Sequence, residues 1–208
     1  MQVQLSVCTR ADLDELVDML SVAFATHDPP AVAVGLTVQE FADLVDLYRD
    51  RAAGGGCTMI ARASTGEMVG ALLAEDSAAP FPHGLERLSP KFDPIFEILT
   101  DLEAEYRRGR CVLPGDAIHL FLLGVNQAFG RQQIAQRLVA GCIELAIARG
   151  YRLAVTEATN NVSRYIFQKL GFVERARRAY ADYRFGSQAV FTAIASHGGP
   201  VLLDREIG

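Results

Sequence analysis

Ile118–Gly150, IHLFLLGVNQAFGRQQIAQRLVAGCIELAIARG, changes period partway along. Ile118, Leu120, Phe121, Leu122, Leu123 and Val125 form a nearly continuous apolar run, the pattern of a strand covered on both faces. From Ile134 the apolar residues Leu138, Cys142, Leu145 and Ile147 follow at helical spacing, and Gly150 stands where a left-handed residue closes a helix. Between strand and helix lies a short polar turn, Asn126–Gln133. The first amides of a helix have no partner inside it and carry its positive dipole end, so such a turn can receive an anion. Ordinary crossover units share the pattern, so the turn alone does not distinguish the two.

The chain of 208 residues is long enough to bury a substantial core, and a single α/β domain over residues 1–208 is expected, with Ser77–Pro90 as a surface loop insertion. Half of the residues are hydrophobic, and the one low-complexity run is Gly54-Gly55-Gly56, which excludes a disordered chain. No apolar segment approaches the roughly 20 residues of a membrane helix. The start, MQVQLSVCTRADLDEL, lacks a basic-then-apolar signal pattern, so no membrane partner and a cytoplasmic location are expected. Cys8, Cys57, Cys111 and Cys142 are scattered, and each lies in or beside an apolar stretch, which reads as buried thiols. His27, His83, His119 and His197 show no metal-ligand spacing, and no metal is expected. A net charge of −5 argues against a nucleic-acid partner despite the arginines near residues 107–110 and 175–178.

Val3–Cys8 alternates like a half-buried strand, and Thr9 caps a helix over Ala11–Ala25 that ends at His27-Asp28-Pro29-Pro30. Thr37 with Glu40 three residues on has the spacing of a capping box for a helix over Val38–Ala53. Cys57–Ala63 and Met68–Glu75 flank a Gly-containing turn and read as a hairpin. Phe92–Tyr106 is helical in pattern. Arg152–Thr156 reads as a strand and Asn161–Leu170 as a helix, with Phe172-Val173, Ala179–Phe185 and Val190–Ala195 as the last strands.

This order of elements resembles the GNAT N-acetyltransferase family. Val125-Asn-Gln-Ala-Phe-Gly-Arg-Gln-Gln-Ile-Ala-Gln-Arg-Leu138 is similar to its acetyl-CoA motif V-x-P-x-x-R-G-x-G-I-A-x-x-L, and Ser163-Arg-Tyr-Ile-Phe-Gln-Lys-Leu-Gly-Phe172 to its closing helix. His27-Asp28-Pro29-Pro30, Pro90-Lys91-Phe92, Thr159, Ser163, Tyr180-Ala-Asp-Tyr183 and Val190-Phe191 resemble, in order, the arylalkylamine (dopamine-type) branch. The resemblance covers nearly the whole chain. It implies an α/β (α+β) fold, with a mixed central sheet of about seven strands splayed at strands 4 and 5 and flanked by helices.

The same resemblance implies acetyl-CoA as co-substrate. Leu123, Gly124 and Val125 would lie along its pantetheine arm, and the amides of Gly130, Arg131, Gln132, Gln133, Ile134 and Ala135 would face its pyrophosphate. Asn161 and Ser163 would add contacts from the closing helix. Among the departures from the motif, its Arg is Gly130 and its Gly is Gln133, while Arg131 could restore the displaced charge. An alkylamine with a pKa of about 10.4 is mostly protonated at neutral pH, so its acetylation needs a base. Asp28 matches the Glu of the dopamine-type enzymes, and Thr159 and Ser163 match their proton-transfer hydroxyls. Glu157, at the end of a strand bordering the site, is a second candidate base. The Tyr that many GNAT enzymes carry in the closing helix is here Phe167. These features imply direct acetyl transfer to a small primary amine, arylalkylamine-like or polyamine-like. The departures leave open a non-catalytic acyl-CoA-binding module, and the apolar C-terminal strands leave open a homodimer.

Overall fold

In a computed structural model, which describes residues 3–130 and 132–208, the apolar run becomes β4 (Ala117–Val125) near the middle of a seven-stranded sheet. The other strands are β1 (Val3–Val7), β2 (Met59–Ala63), β3 (Met68–Asp76), β5 (Leu153–Ala158), β6 (Val173–Arg177) and β7 (Val201–Glu206). Their order across the sheet is β1-β2-β3-β4-β5-β7-β6, and β4 with β5 is the parallel pair among antiparallel ones. This is the mixed, helix-flanked sheet of the GNAT fold.

Parallel pairing is short. Ala117, Ile118 and His119 face Leu153, Ala154 and Val155, and there the backbone ladder stops. At the next step Thr156, buried, donates its hydroxyl to the Leu120 carbonyl at 2.9 Å, so a side chain takes over where the backbone pairing ends. On its other edge β4 stays paired to β3, but the register steps from Leu73↔Leu122 to Ala74↔Leu120, leaving Phe121 as an extra residue. This β-bulge turns neighbouring side chains to one side. Phe121 and Leu122 both join the core under the N-terminal helices, while Leu120 and Leu123 pack on the opposite face.

That opposite face is covered by α6 (Ile134–Ala148), whose buried Ile134, Leu138, Val139 and Cys142 follow helical spacing. The first face carries α1 (Leu13–His27), α2 (Pro29–Ala33), α3 (Val38–Asp46), α4 (Arg49–Gly54) and α5 (Asp93–Tyr106). The Thr37–Glu40 capping box is present at the start of α3. α1 crosses β4 so closely that a Cβ on Gly124 would sit 3.1 Å from Leu20 Cδ2 and 3.2 Å from the Ala23 methyl. The closing helix is α7 (Asn161–Lys169).

The structure departs from expectation in four places. Pro29–Ala33 is the short helix α2 rather than a break, because Asp28 caps it and prolines are well suited to a first helical turn. The helix expected over Val38–Ala53 is two, α3 and α4, parted where the Tyr48 ring turns inward onto Phe121, with centroids 4.6 Å apart. Ala179–Phe185 and Val190–Ala195 are not strands: Tyr180, Tyr183 and Phe191 form an aromatic cluster, and the final strand is β7. Cys8, Cys57 and Cys142 are buried, but Cys111 is exposed in the connection after α5. No helix among the described residues is long and apolar enough to cross a membrane.

Replacing Thr156 by Val keeps the volume but leaves the buried Leu120 carbonyl without its hydroxyl. The expected cost is about 1–3 kcal/mol in a denaturant titration. An unchanged midpoint would show that the parted strands do not depend on this bond.

Candidate active site

The parted strands leave the β5-facing edge of β4 without a strand neighbour from Leu120 to Val125. A cavity of about 390 Å³ opens along this edge, with Leu123, Gly124 and Val125 in its wall and Ala135 at the start of α6. An extended amide-bearing chain could pair with such an edge as another strand would. The open edge and the turn above it fit the pantetheine arm and diphosphate of a coenzyme A thioester.

In the turn, Asn126 accepts a hydrogen bond from the Ala128 amide, and the Gly130 amide donates to the Gln127 carbonyl at 3.0 Å. Gly130 is thus engaged within the turn itself. Gln132 and Gln133 are exposed, and Ile134 anchors the helix start in the core. Gln133 has φ of 57°, in the left-handed region, the one non-glycine there among the described residues. This is the motif position where glycine was expected, and the conformation glycine would favour is kept by a glutamine at a cost of about 1–2 kcal/mol. Arg131 lies outside the described residues.

At the other end of the cavity Asp28 closes α1 and caps α2. Its Oδ2 accepts from the Ala31 amide at 3.4 Å, and its Oδ1 accepts the Thr159 hydroxyl at 2.5 Å. Burial pushes the Asp28 carboxyl up to about 6, although the Thr159 and Ala31 donors pull it back. Thr159 follows β5, and its carbonyl accepts the buried Tyr180 hydroxyl at 2.8 Å. Two candidates from distant parts of the sequence, Asp28 and Thr159, are therefore in contact across the cavity wall.

Ser163 also lines the cavity, but its hydroxyl donates to the Asn160 carbonyl at 3.1 Å. Asn160 caps α7, accepting from the Val162 and Ser163 amides. Asn161 is exposed and donates to the Ser196 carbonyl at 3.4 Å. Phe167 packs edge-on against Phe172 in the core, so it brings no hydroxyl to the site. The remaining wall is aromatic: Phe24 stacks on Phe41 at 5.1 Å and Phe92 on Phe96 at 5.3 Å.

Sequence reasoning missed His119. Its Nε2 lies 2.7 Å from Glu157 Oε2, and its Nδ1 lies 4.0 Å from Glu75 Oε1. Burial alone would lower the His119 pKa, but Glu157, Glu75 and Glu103 together hold it above the ordinary histidine value. Glu157 is partly buried, yet His119 keeps its carboxyl below the ordinary range. The available signal was a histidine within an otherwise apolar strand; its partners are remote in sequence. Among the described residues no group of three or more His, Cys, Asp or Glu side chains is placed to hold a metal.

The sequence pattern of the acetyltransferase (GNAT) family matches residues 28–172, a span that runs from Asp28 through the turn to the end of the closing helix, and the chain belongs to that family. Among solved structures it is similar to arylalkylamine N-acetyltransferase 2 from Aedes aegypti, with a TM-score of 0.86 at 19% identity over 100% of both chains. It is similar to the Drosophila melanogaster polyamine N-acetyltransferase that forms N-acetylagmatine, with a TM-score of 0.78 at 17% identity over 99% of this chain and 100% of that one. It is also similar to the C-terminal condensation domain of Ebony in complex with β-alanyl-dopamine, with a TM-score of 0.88 at 12% identity over 100% of both. At these identities the likeness establishes a shared fold.

If the Gln133 side chain limits approach of a diphosphate, Gln133→Gly should tighten acetyl-CoA binding, while relief of the left-handed φ should raise stability by about 1–2 kcal/mol. Calorimetry checks this, and an unchanged or weaker affinity would show that the Gln133 side chain does not impede the turn.

Proposed function

We propose that this chain transfers the acetyl group of acetyl-CoA directly to a small primary amine. The observation that carries this reading is the Asp28–Thr159 pair, in the wall of the same cavity that runs along the open edge of β4. One end of the cavity thus offers backbone to a thioester carrier, and the other offers a buried base to a nucleophile.

An alkylammonium of pKa about 10.4 supplies about one free amine in a thousand at neutral pH. A base is most effective when its own pKa lies near the working pH. Asp28, pushed up to about 6, is ionised at neutral pH yet far more basic than an exposed carboxylate. The Thr159 hydroxyl, already bonded to Asp28, orients that carboxylate and offers a path by which the proton leaves the nitrogen. Leu123, Gly124 and Val125 hold the carrier arm in extended form, and the backbone at residues 132–135, where α6 starts, receives its diphosphate. The aromatic wall excludes water and gives the amine an apolar approach. Ser163 serves the start of α7 through its bond to Asn160.

No cysteine is placed to carry the acetyl group as an intermediate. Burial pushes the Cys8 thiol up to about 11 and raises Cys57 and Cys142 as well, and none of the cysteines lines the cavity. The acceptor classes that fit this site are arylalkylamines and polyamines, in keeping with the names of the structural relatives.

The test is thiol release from acetyl-CoA across an amine panel, beside calorimetry. The acid limb of kcat/KM should have its midpoint near about 6. Asp28→Asn should lower turnover by about 10²–10⁴-fold and remove that limb while acetyl-CoA affinity stays near normal. Stability should move the other way. The folded carboxyl is raised, so its contribution is full below the ordinary carboxylate range and is lost as pH climbs through about 6. The neutral amide escapes that loss, so the variant should melt no lower than the parent at pH about 7. Unchanged rates in the variant would exclude Asp28 as the base, and acetyl-CoA binding without turnover of any amine would favour a non-catalytic acyl-CoA-binding module.

A further inference from the structure

A second cavity, about 550 Å³, lies under α5 and the Ser77–Leu85 segment and adjoins the first, sharing Phe96, Leu99, Phe121 and Glu157 with it. Its body is apolar and aromatic, with Tyr48, Phe81, Phe96 and Phe121 among its walls. Its roof is fastened on two sides: Arg51 donates to the Pro80 carbonyl, and Arg107 donates to the Ser77 carbonyl at 2.7 Å. Nothing in the reaction proposed above uses this space. A volume this size, opening off the transfer cavity through the bulge residue Phe121, has room for the far end of an acceptor.

The polar groups at its inner end do not balance. Glu75 from β3, Glu103 from α5 and Glu157 from β5 supply carboxylates. Arg51 from α4 pairs with Glu75 at 2.6 Å, and Arg107 from α5 pairs with Glu103 at 2.7 Å. Tyr48 and Tyr106 are neutral, because burial raises both phenols. One negative charge is therefore left for His119 to match by taking a proton, and the surrounding carboxylates favour that protonated form. When His119 is neutral, the cavity carries an uncompensated carboxylate among aromatic rings, a setting that attracts a cation through both charge and ring faces.

We propose that this second cavity selects acceptors bearing a second cationic group, an ammonium or guanidinium separated from the reacting amine by an alkyl chain, which settles against Glu75 and Glu157 in place of the His119 proton. The inference rests on the acetyl-transfer reading above and names the acceptor within it. Ligand cation and His119 proton compete for one charge. Preference for a dication therefore rises with pH as His119 gives up its proton.

Agmatine, whose guanidinium stays charged throughout, is compared with hexylamine over about pH 6 to 9. The ratio of their kcat/KM values cancels the ionisation of the reacting amine and of Asp28. The ratio should exceed about tenfold at the upper end and fall toward acid pH. Glu75→Gln should raise the KM of agmatine by about tenfold with little change for hexylamine, and His119→Asn should flatten the pH dependence of the ratio. If Glu75→Gln melts markedly lower than the parent, Glu103→Gln at the partly exposed rim reads the same preference. A ratio near one at every pH, or equal losses for both amines in the Glu variant, overturns the inference. So does a greater preference for tyramine over phenethylamine than for agmatine over hexylamine, which would assign the carboxylates to a phenolic hydroxyl. Failure to turn over any amine would instead remove the transferase reading on which the inference stands.

Discussion

The site depends on two strands that stop pairing. β4 and β5 run parallel for three residue pairs and then leave the ladder to a side chain, the Thr156 hydroxyl on the Leu120 carbonyl. A buried backbone carbonyl without a partner is costly, so a parted sheet needs a polar group at the fork. Thr156 supplies it while remaining compatible with a strand, since a β-branched residue suits extended backbone. The bulge at Phe121 lies beside the same fork and turns Phe121 and Leu122 toward the N-terminal helices. Fork and bulge together create an open backbone edge on one strand and a junction between two cavities.

Asp28 shows how one residue type meets two demands. It caps α2, a role suited to a short carboxylate followed by Pro29-Pro30, and it faces Thr159 with its other oxygen. A capping carboxylate in solvent would be ordinary. Buried beside Thr159, whose carbonyl takes the Tyr180 hydroxyl, it becomes hard to ionise. The helix start fixes its position and the burial sets its basicity, so geometry and chemistry derive from the same loop.

Much of this was legible in the sequence where a pattern is local. The change of period at Asn126–Gln133, the Thr37–Glu40 cap and the Ser64-Thr65-Gly66-Glu67 turn each declare themselves within a few residues, and the fold followed from their order. β7 did not, because Asp204 interrupts its apolar run. In the folded chain that carboxylate is buried and accepts from Tyr106 at 2.9 Å, Arg175 at 2.6 Å and Arg110 at 3.2 Å, donors about which a strand pattern carries no information. Asp28 and Thr159 could be named through family resemblance, but their contact spans 131 positions, and no periodicity encodes it. His119 looked like an isolated imidazole for the same reason, with its nearest carboxylate 38 positions away. Ser163 resembled a proton carrier, and the local competition for its hydroxyl by the Asn160 carbonyl became visible once α7 had a defined first turn.

The place of β7 bears on how the molecule is assembled during synthesis. It lies between β5 and β6, although both precede it in the chain. Until residues 201–206 are available, β6 has no edge of the sheet to dock upon. Docking of Val201–Glu206 then secures β5 and β6 at once, a late closure of distant contacts that is slow relative to helix formation. The β6 end of the sheet is therefore completed after the open edge of β4 has formed.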